Sequence, residues 1–233
     1  MLRPKNNKTK PRIKHRPFLK WAGGKFRLTD DLNRVFPKRK QCLIEPFVGA
    51  GAVFLNSHFE RYILADINPD LINLFNIVKD NVDAYIEACK PIFFAENANT
   101  AEYYYAQRDT FNQSTDPFER SVLFLYLNRF GFNGLCRYNS KNEFNVPFGA
   151  YKTHYFPEDE LRYFAHKAQS AVFLCADFQQ TFELADKHSV IYCDPPYAPL
   201  PQDTNFTGYA GNAFGLEHQK NLAECAKTVS YTH

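Results

Sequence analysis

A chain of 233 residues, 45% hydrophobic and 16% aromatic, has the length of one domain or of one domain with a large insertion. It carries enough apolar mass to bury a core, which excludes a disordered protein. The net charge of +3 conceals an asymmetry: residues 1–40 hold 14 of the 28 Lys and Arg but only 2 of the 25 acids. A basic arm on an acidic body points to a polyanionic partner engaged locally, or to a solubilising tail.

The opening stretch "MLRPKNNKTKPRIKHRP" lacks an apolar segment and is not a signal peptide, and no run has the length of a membrane span. The six cysteines, Cys42, Cys89, Cys136, Cys175, Cys193 and Cys225, show no metal-like spacing. They are expected to be reduced and buried in a cytosolic protein that holds no metal.

In chain order, "QCLIEPF" reads as a strand ending near Phe47, and "GAGAVFLNSHF" turns into a helix. "RYILADI" is a second strand. "PDLINLFNIVKDNVDAYIEACK" is one amphipathic helix, capped by Asn68 with Pro69 at its first position. Strand, helix, strand, helix opens a parallel α/β sheet. From about residue 90 to 168 the pattern changes. "TAEYYYAQRDTF" is helical, and Asp116 to Glu119 fits a capping box opening the helix "PFERSVLFLYLNRF". "GFNGLCRYNSKNEFNVPFG" reads as a hairpin turning at Asn139 to Asn142. "SAVFLCADF" and "SVIYCDPPY" return to buried strands. The α/β sheet is thus interrupted by a mostly helical insertion.

Two glycine-containing turns flank possible ligand positions. Gly49 and Gly51 sit between a strand and a helix, and Asp66 ends the next strand where a ribose-binding acid belongs. The position of a third glycine is Phe54, so a pyrophosphate lacks its close helix approach. A nucleoside ligand without phosphates, such as S-adenosylmethionine, needs only the tight turn and the diol acceptor. On its own, the Gly-x-Gly pair favours a packing turn. In "KWAGGK", Phe26 stands where a phosphate loop needs Ser or Thr, which disfavours nucleotide hydrolysis. Trp21, the only tryptophan, covers a ligand or caps the core.

The stretch "SVIYCDPPYAPL" ends a strand in a turn that is stiff, acidic and aromatic. Pro195 keeps Asp194 out of the helical region. The Asp194 carboxylate and the Pro195 carbonyl can then point together, offering two acceptors about 3 Å from one exocyclic amine. Holding both hydrogens out of the ring plane frees the nitrogen lone pair. Tyr197 supplies a face on which a base can stack, worth roughly 1–3 kcal/mol. The bland alternative is a proline-stiffened turn with a capping acid.

Together and in this order, "FLKWAGGK", "EPFVGAG", "ADINPDLI" and "DPPYAPL" resemble the motifs of the Dam-type DNA adenine-N6 methyltransferases. "LFLYLNRFGFNGLCRYN" and "EFNVPFGAY" resemble that family's target-recognition region. The resemblance covers nearly the whole chain beyond the basic arm. It implies a Rossmann-like α/β methyltransferase sheet (residues 18–89 and 169–233) behind a basic arm (1–17), with a helical, hairpin-bearing target-recognition insertion (90–168). It also implies S-adenosylmethionine as donor and double-stranded DNA as substrate, with GATC as the site and the adenine flipped out. The protein would be a monomer if the fold is complete, cytoplasmic, and bacterial or phage-encoded.

By motif position, Asp194, Pro195 and Tyr197 would be catalytic. Trp21, Lys25, Phe47, Gly49, Gly51, Asp66, Asp177, Phe178 and Asp194 would hold the donor. Arg137 would read a guanine edge, Phe132 would be the wedge with Asn133 and Leu135 beside it, and Lys20 and Tyr151 would complete the DNA contacts. Many members carry Tyr where Phe132 stands. The competing expectations are a methyltransferase for another exocyclic amine, on cytosine N4 or RNA, and a catalytically impaired binding remnant. The family's sheet continues beyond the helix "GLEHQKNLAECAKTV", whereas here four residues follow it. C-terminal strands are therefore expected to be missing.

Overall fold

The computed structural model describes residues 13–39, 41–196 and 214–232. Its centre is a parallel sheet of four strands among the described residues: β1 (Cys42–Glu45), β2 (Arg61–Asp66), β3 (Ala171–Cys175) and β4 (Ser189–Ile191), in the order β3-β2-β1-β4. The chain builds β1, β2 and β3 outward on one side, then crosses back to lay β4 against the other side of β1. The sheet therefore has a topological switch point between β1 and β4, the place where open α/β sheets bind ligands. The β1 run is buried at every residue, as a strand covered on both faces must be.

The helices are α1 (Thr29–Val35), α2 (Ala52–Asn56), α3 (Pro69–Asp80), α4 (Val82–Phe93), α5 (Ala101–Gln113), α6 (Pro117–Phe130), α7 (Glu158–Ala168), α8 (Phe178–Phe182) and α9 (Leu216–Thr232). At the start of α3, Asn68 accepts from the Asp70 and Leu71 amides, with Pro69 at the first position, as its sequence predicts. The expected single helix from Pro69 to Lys90 is instead two. Asn81 leaves helical geometry and accepts from the Ala84 amide, so a residue that could continue α3 caps α4.

Other boundaries also shift. β1 stops at Glu45, short of Phe47, because Pro46 begins the turn, and α2 ends at Asn56 rather than at Phe59. The capping box at α6 closes only halfway. Asp116 accepts from the Phe118 and Glu119 amides, while the Glu119 carboxylate binds the Ser114 hydroxyl. β4 is three residues long and half-buried, since among the described residues it is an edge of the sheet. Cys175 is exposed and Cys193 and Cys225 are half-buried, against the expectation of burial; the other three are buried.

A single apolar cluster joins the sheet to the insertion. Phe18, Phe54, Phe75, Phe164 and Phe173 meet edge-on, tilted or, for Phe164 and Phe173, stacked, at centroid distances of 4.8 to 6.1 Å. Such pairs add about 0.5–1.5 kcal/mol each beyond area burial. α6 is buried from Ser121 to Asn128, so it reads as apolar all round and packs against α3, α4 and α5. α3 is the shared wall, resting on β2 and β3 and also on α6 and α7. The expected hairpin turns where predicted, with Asn142 donating to the Asn139 carbonyl. Its arms meet at two bridges, Tyr138 with Phe144 and Gly131 with Phe148, without lengthening into strands.

Candidate active site

A cavity of about 740 Å³ opens at the carboxyl ends of β1, β2, β3 and β4. That volume falls within the range of small-molecule sites, roughly 300–1,000 Å³. Its wall includes Trp21, Lys25, Phe47, Gly49, Asp66, Asp177, Phe178, Asp194 and Pro195, residues spread over 175 positions of sequence.

The floor is the turn after β1. Gly49 and Gly51 both have positive φ, +49° and +74°, which L side chains adopt only under strain. Gly49 has a second reason to be glycine: a Cβ there would lie 2.9 Å from Trp21 Nε1. The indole thus rests on the bare backbone of the turn. Asp66 closes the floor from β2. Its Oδ2 accepts from the Gly49 amide at 3.2 Å and its Oδ1 from the Asn68 amide at 3.0 Å. Burial raises its pKa, and the amides of Asn68, Gly49 and Ile67 oppose the rise.

Three further acids line the cavity: Asp194, Glu45 and Asp177. Asp194 Oδ2 lies 2.7 Å from Lys25 Nζ, and the same ammonium donates to the Gly23 carbonyl at 2.8 Å. The glycine turn of the N-terminal loop therefore aims a cation at the acid after β4. Glu45, the last residue of β1, is buried, and its Oε1 has no hydrogen-bond partner. Desolvation pushes its carboxyl up to about 8, against the Phe54 amide and the Lys167 charge and with the help of Asp194. An acid at the end of an apolar strand, directly before the glycine turn, is the signal that could have marked Glu45 from sequence.

One wall is aromatic. Phe47 and Phe178 stack at 5.7 Å with a 28° tilt, and Phe214 stands edge-on to Phe47 at 5.6 Å. Asp177 is committed locally: its carboxylate caps α8 and the Gln180 side chain returns the bond to its amide. Phe214 was not anticipated, because its neighbourhood in sequence carries no periodic signal.

The loop from Gly131 to Tyr151 adjoins the cavity through Lys20 and Asn68, which line it. Phe132, Asn133 and Arg137 are exposed, Phe132 by 48%, which suits groups that meet a partner. The Arg137 guanidinium is held by Asn145, through Nε to Oδ1 at 2.7 Å and Nη2 to the backbone carbonyl at 3.1 Å. Lys20 links this loop to the cavity. Its Nζ lies 3.9 Å from the Tyr151 ring centre and donates to the Arg129 carbonyl at 2.9 Å. Burial and the Arg129 charge push Lys20 down to about 8. Asn128, also unanticipated, accepts from the Lys20 amide and donates to the Lys20 carbonyl, both at 2.8 Å.

The D12 class of N6 adenine-specific DNA methyltransferases matches residues 21–233. The chain belongs to this family. Its relatives include proteins named DNA adenine methylase. That of Haemophilus influenzae is 81% identical over 229 residues, 98% of this chain and 80% of the relative. That of Escherichia coli K12 is 59% identical over 220 residues, 94% of this chain and 78% of the relative. That of Vibrio cholerae is 59% identical over 217 residues, 93% of this chain and 78% of the relative.

The resemblance drawn from the motifs is therefore correct, and the protein is an adenine-specific DNA methyltransferase with the α/β sheet expected of it. The structure gathers the expected donor residues around the cavity, with one exception: Gly51 does not line it but starts α2. Leu135 is half-buried in the loop from Gly131 to Tyr151. Tyr197 and residues 1–12 of the basic arm lie outside the described residues. Among the described residues, no helix is long and apolar enough to cross a membrane.

Proposed function

We propose that this D12-class enzyme transfers a methyl group from S-adenosylmethionine to the N6 amine of an adenine flipped out of duplex DNA, within GATC. The observation that carries the reading is the convergence of Asp66, Trp21 on Gly49, and the Lys25–Asp194 pair on one cavity beside the Arg137 loop.

The residues present suit such a donor. Asp66 offers a carboxylate at the end of β2 to a ribose diol, with no phosphate cradle beside it. Phe47 and Phe178 give its base an aromatic wall. Glu45 Oε1, buried and unpartnered, is an acceptor for a cationic amino group. When bound, the donor supplies an electrophilic methyl on a sulfonium.

The rest falls to the chain. Asp194 and the Pro195 carbonyl accept the two hydrogens of the target amine, which lets the nitrogen pyramidalise and exposes its lone pair. Lys25 neutralises Asp194 before the substrate enters and yields that oxygen to the amine. Pro195 and Pro196 fix the turn, so no ordering is required at the moment of reaction.

Site choice belongs to the insertion of residues 90–168. Arg137, with Nε and one Nη2 hydrogen bound to Asn145, keeps its end-on fork free for a guanine O6 and N7. Phe132 fills the gap left by the flipped base, with Asn133 and Leu135 beside it, and Lys20 and Tyr151 contact the other end of the site. The enzyme works as a monomer in this reading.

The test is Arg137→Ala on duplexes differing at one guanine of GATC. Discrimination should fall by about 1–3 kcal/mol at that base alone. Uniform weakening on every sequence would instead make Arg137 a phosphate contact.

A further inference from the structure

Arg137 lies between two buried residues, and both are tied to the segment that carries Asp66. Cys136 Sγ is 3.3 Å from the Asn68 side-chain amide, which donates to it. The Tyr138 hydroxyl donates to Asp70 Oδ2 at 2.6 Å. Asn68, Asp70, Cys136 and Tyr138 are all buried, whereas Arg137 is exposed. The alternation is that of an extended chain, with neighbours in and the middle residue out.

Asp70 is itself held by the chain around it. Arg120 grips it with two bonds of 2.9 Å, Nε to Oδ1 and Nη2 to Oδ2. Arg120 Nη1 also donates to the Phe111 carbonyl at 2.7 Å and the Ser114 carbonyl at 3.1 Å, and its guanidinium lies 4.1 Å from the Phe111 ring centre. Bidentate, charge-assisted geometry of this kind fixes orientation as well as energy. The Tyr138 hydroxyl is thus the loop's bond to a rigid ion pair of α3 and α6. Burial pushes the Tyr138 phenol well above its ordinary value, so it stays a donor at any working pH.

We propose that Tyr138, through Asp70, is a positioning residue for site recognition: it sets where Arg137 stands relative to the donor site that begins at Asp66. The proposal rests on the reading of Arg137 as the guanine reader. The Asp66–Asp70 stretch then does two tasks from one backbone: it holds the donor at one end and registers the reading loop at the other. Arg137's own bonds go to Asn145 of the same loop, so they orient the guanidinium but cannot place the loop on the body.

The test is Tyr138→Phe, which removes one oxygen and leaves the ring and the Asp70–Arg120 pair. Tyr85→Phe is the control, since it deletes an equally buried hydroxyl that binds the Ser121 carbonyl at 2.9 Å, away from the loop. Both should lower the melting temperature. Only Tyr138→Phe should reduce the ratio of kcat/KM on a GATC duplex to that on a duplex changed at one guanine, by about tenfold. Affinity for S-adenosylmethionine alone should stay within about twofold, because the Asp66 contacts are untouched.

Cys136→Ala, which deletes the other tie, carries the same prediction and is read in the same way if Tyr138→Phe does not fold. Arg137→Ala, run alongside, separates the two failures. If Arg137→Ala abolishes discrimination while Tyr138→Phe and Cys136→Ala keep it, the positioning role is wrong and the guanine reading stands. If Arg137→Ala itself keeps discrimination, the guanine reading is wrong.

Discussion

Asp194 and Glu45 border one cavity, and their partners separate their roles. Asp194 has a lysine at 2.7 Å, and the proposed function makes its carboxylate the acceptor for the substrate amine. Asp194→Ala should therefore lower turnover by about 10²–10³-fold, by analogy with the loss of one preorganised polar contact, while DNA affinity stays within a few-fold. Near-normal turnover would remove Asp194 from the chemistry. Glu45 is held protonated by burial, with its carboxyl raised from 4.5 to about 8. Between those values the folded protein keeps a proton that the unfolded chain has released, so stability falls as pH rises through that window. The loss reaches on the order of 4 kcal/mol near the upper end. Glu45→Gln cannot ionise and should flatten the dependence of melting temperature on pH between about 5 and 8. A slope equal to that of the parent protein would show that the Glu45 carboxyl is not raised above its unfolded value in the folded protein.

Gly134 shows how the elements are fitted. Its φ is +60°, and a Cβ there would lie 2.2 Å from the Lys20 Cβ, with the Lys20 stem blocking further movement. Gly134→Ala should cost about 2–4 kcal/mol from backbone strain and overpacking, read as a denaturant midpoint, and should move the loop of Gly134 away from Lys20. An unchanged midpoint would mean that the loop is not seated against the N-terminal loop that carries Lys20. Elements of this kind differ in how well the sequence announces them. The strands β1, β2 and β3 were legible as apolar runs, and α3 and α6 by their caps and prolines, because these signals are local. The break at Asn81 was not, since Asn suits a cap and a polar helical face alike until the packing chooses. The glycine turn and the Asp-Pro-Pro turn marked Asp66 and Asp194 by stiffness and placement. Asn128 and Phe214 could not be marked in that way, because their roles come from contacts across 108 and 167 positions of chain, with Lys20 and Phe47.

At the scale of the whole molecule, the proposed function gives the basic arm attraction to DNA and the loop of Arg137 the choice of site. Residues 1–12 carry five of the basic residues and no acid. Beyond them the chain is anchored: Lys14 pairs with Asp30 at 2.7 Å and His15 stacks on Tyr163 at 3.4 Å. Removing residues 1–12 should reduce the salt slope of DNA binding by up to about 4 without changing site choice. An unchanged slope would show the arm to be a bystander. The reading as a whole joins one donor cavity, one amine clamp and one guanine reader in a single chain. Its most direct test is methyl transfer from labelled S-adenosylmethionine to two unmethylated duplexes that differ only in the presence of one GATC. The account predicts label on adenine N6 in the duplex with the site, and little in the other. Equal labelling of both duplexes, or label on cytosine N4, would contradict it.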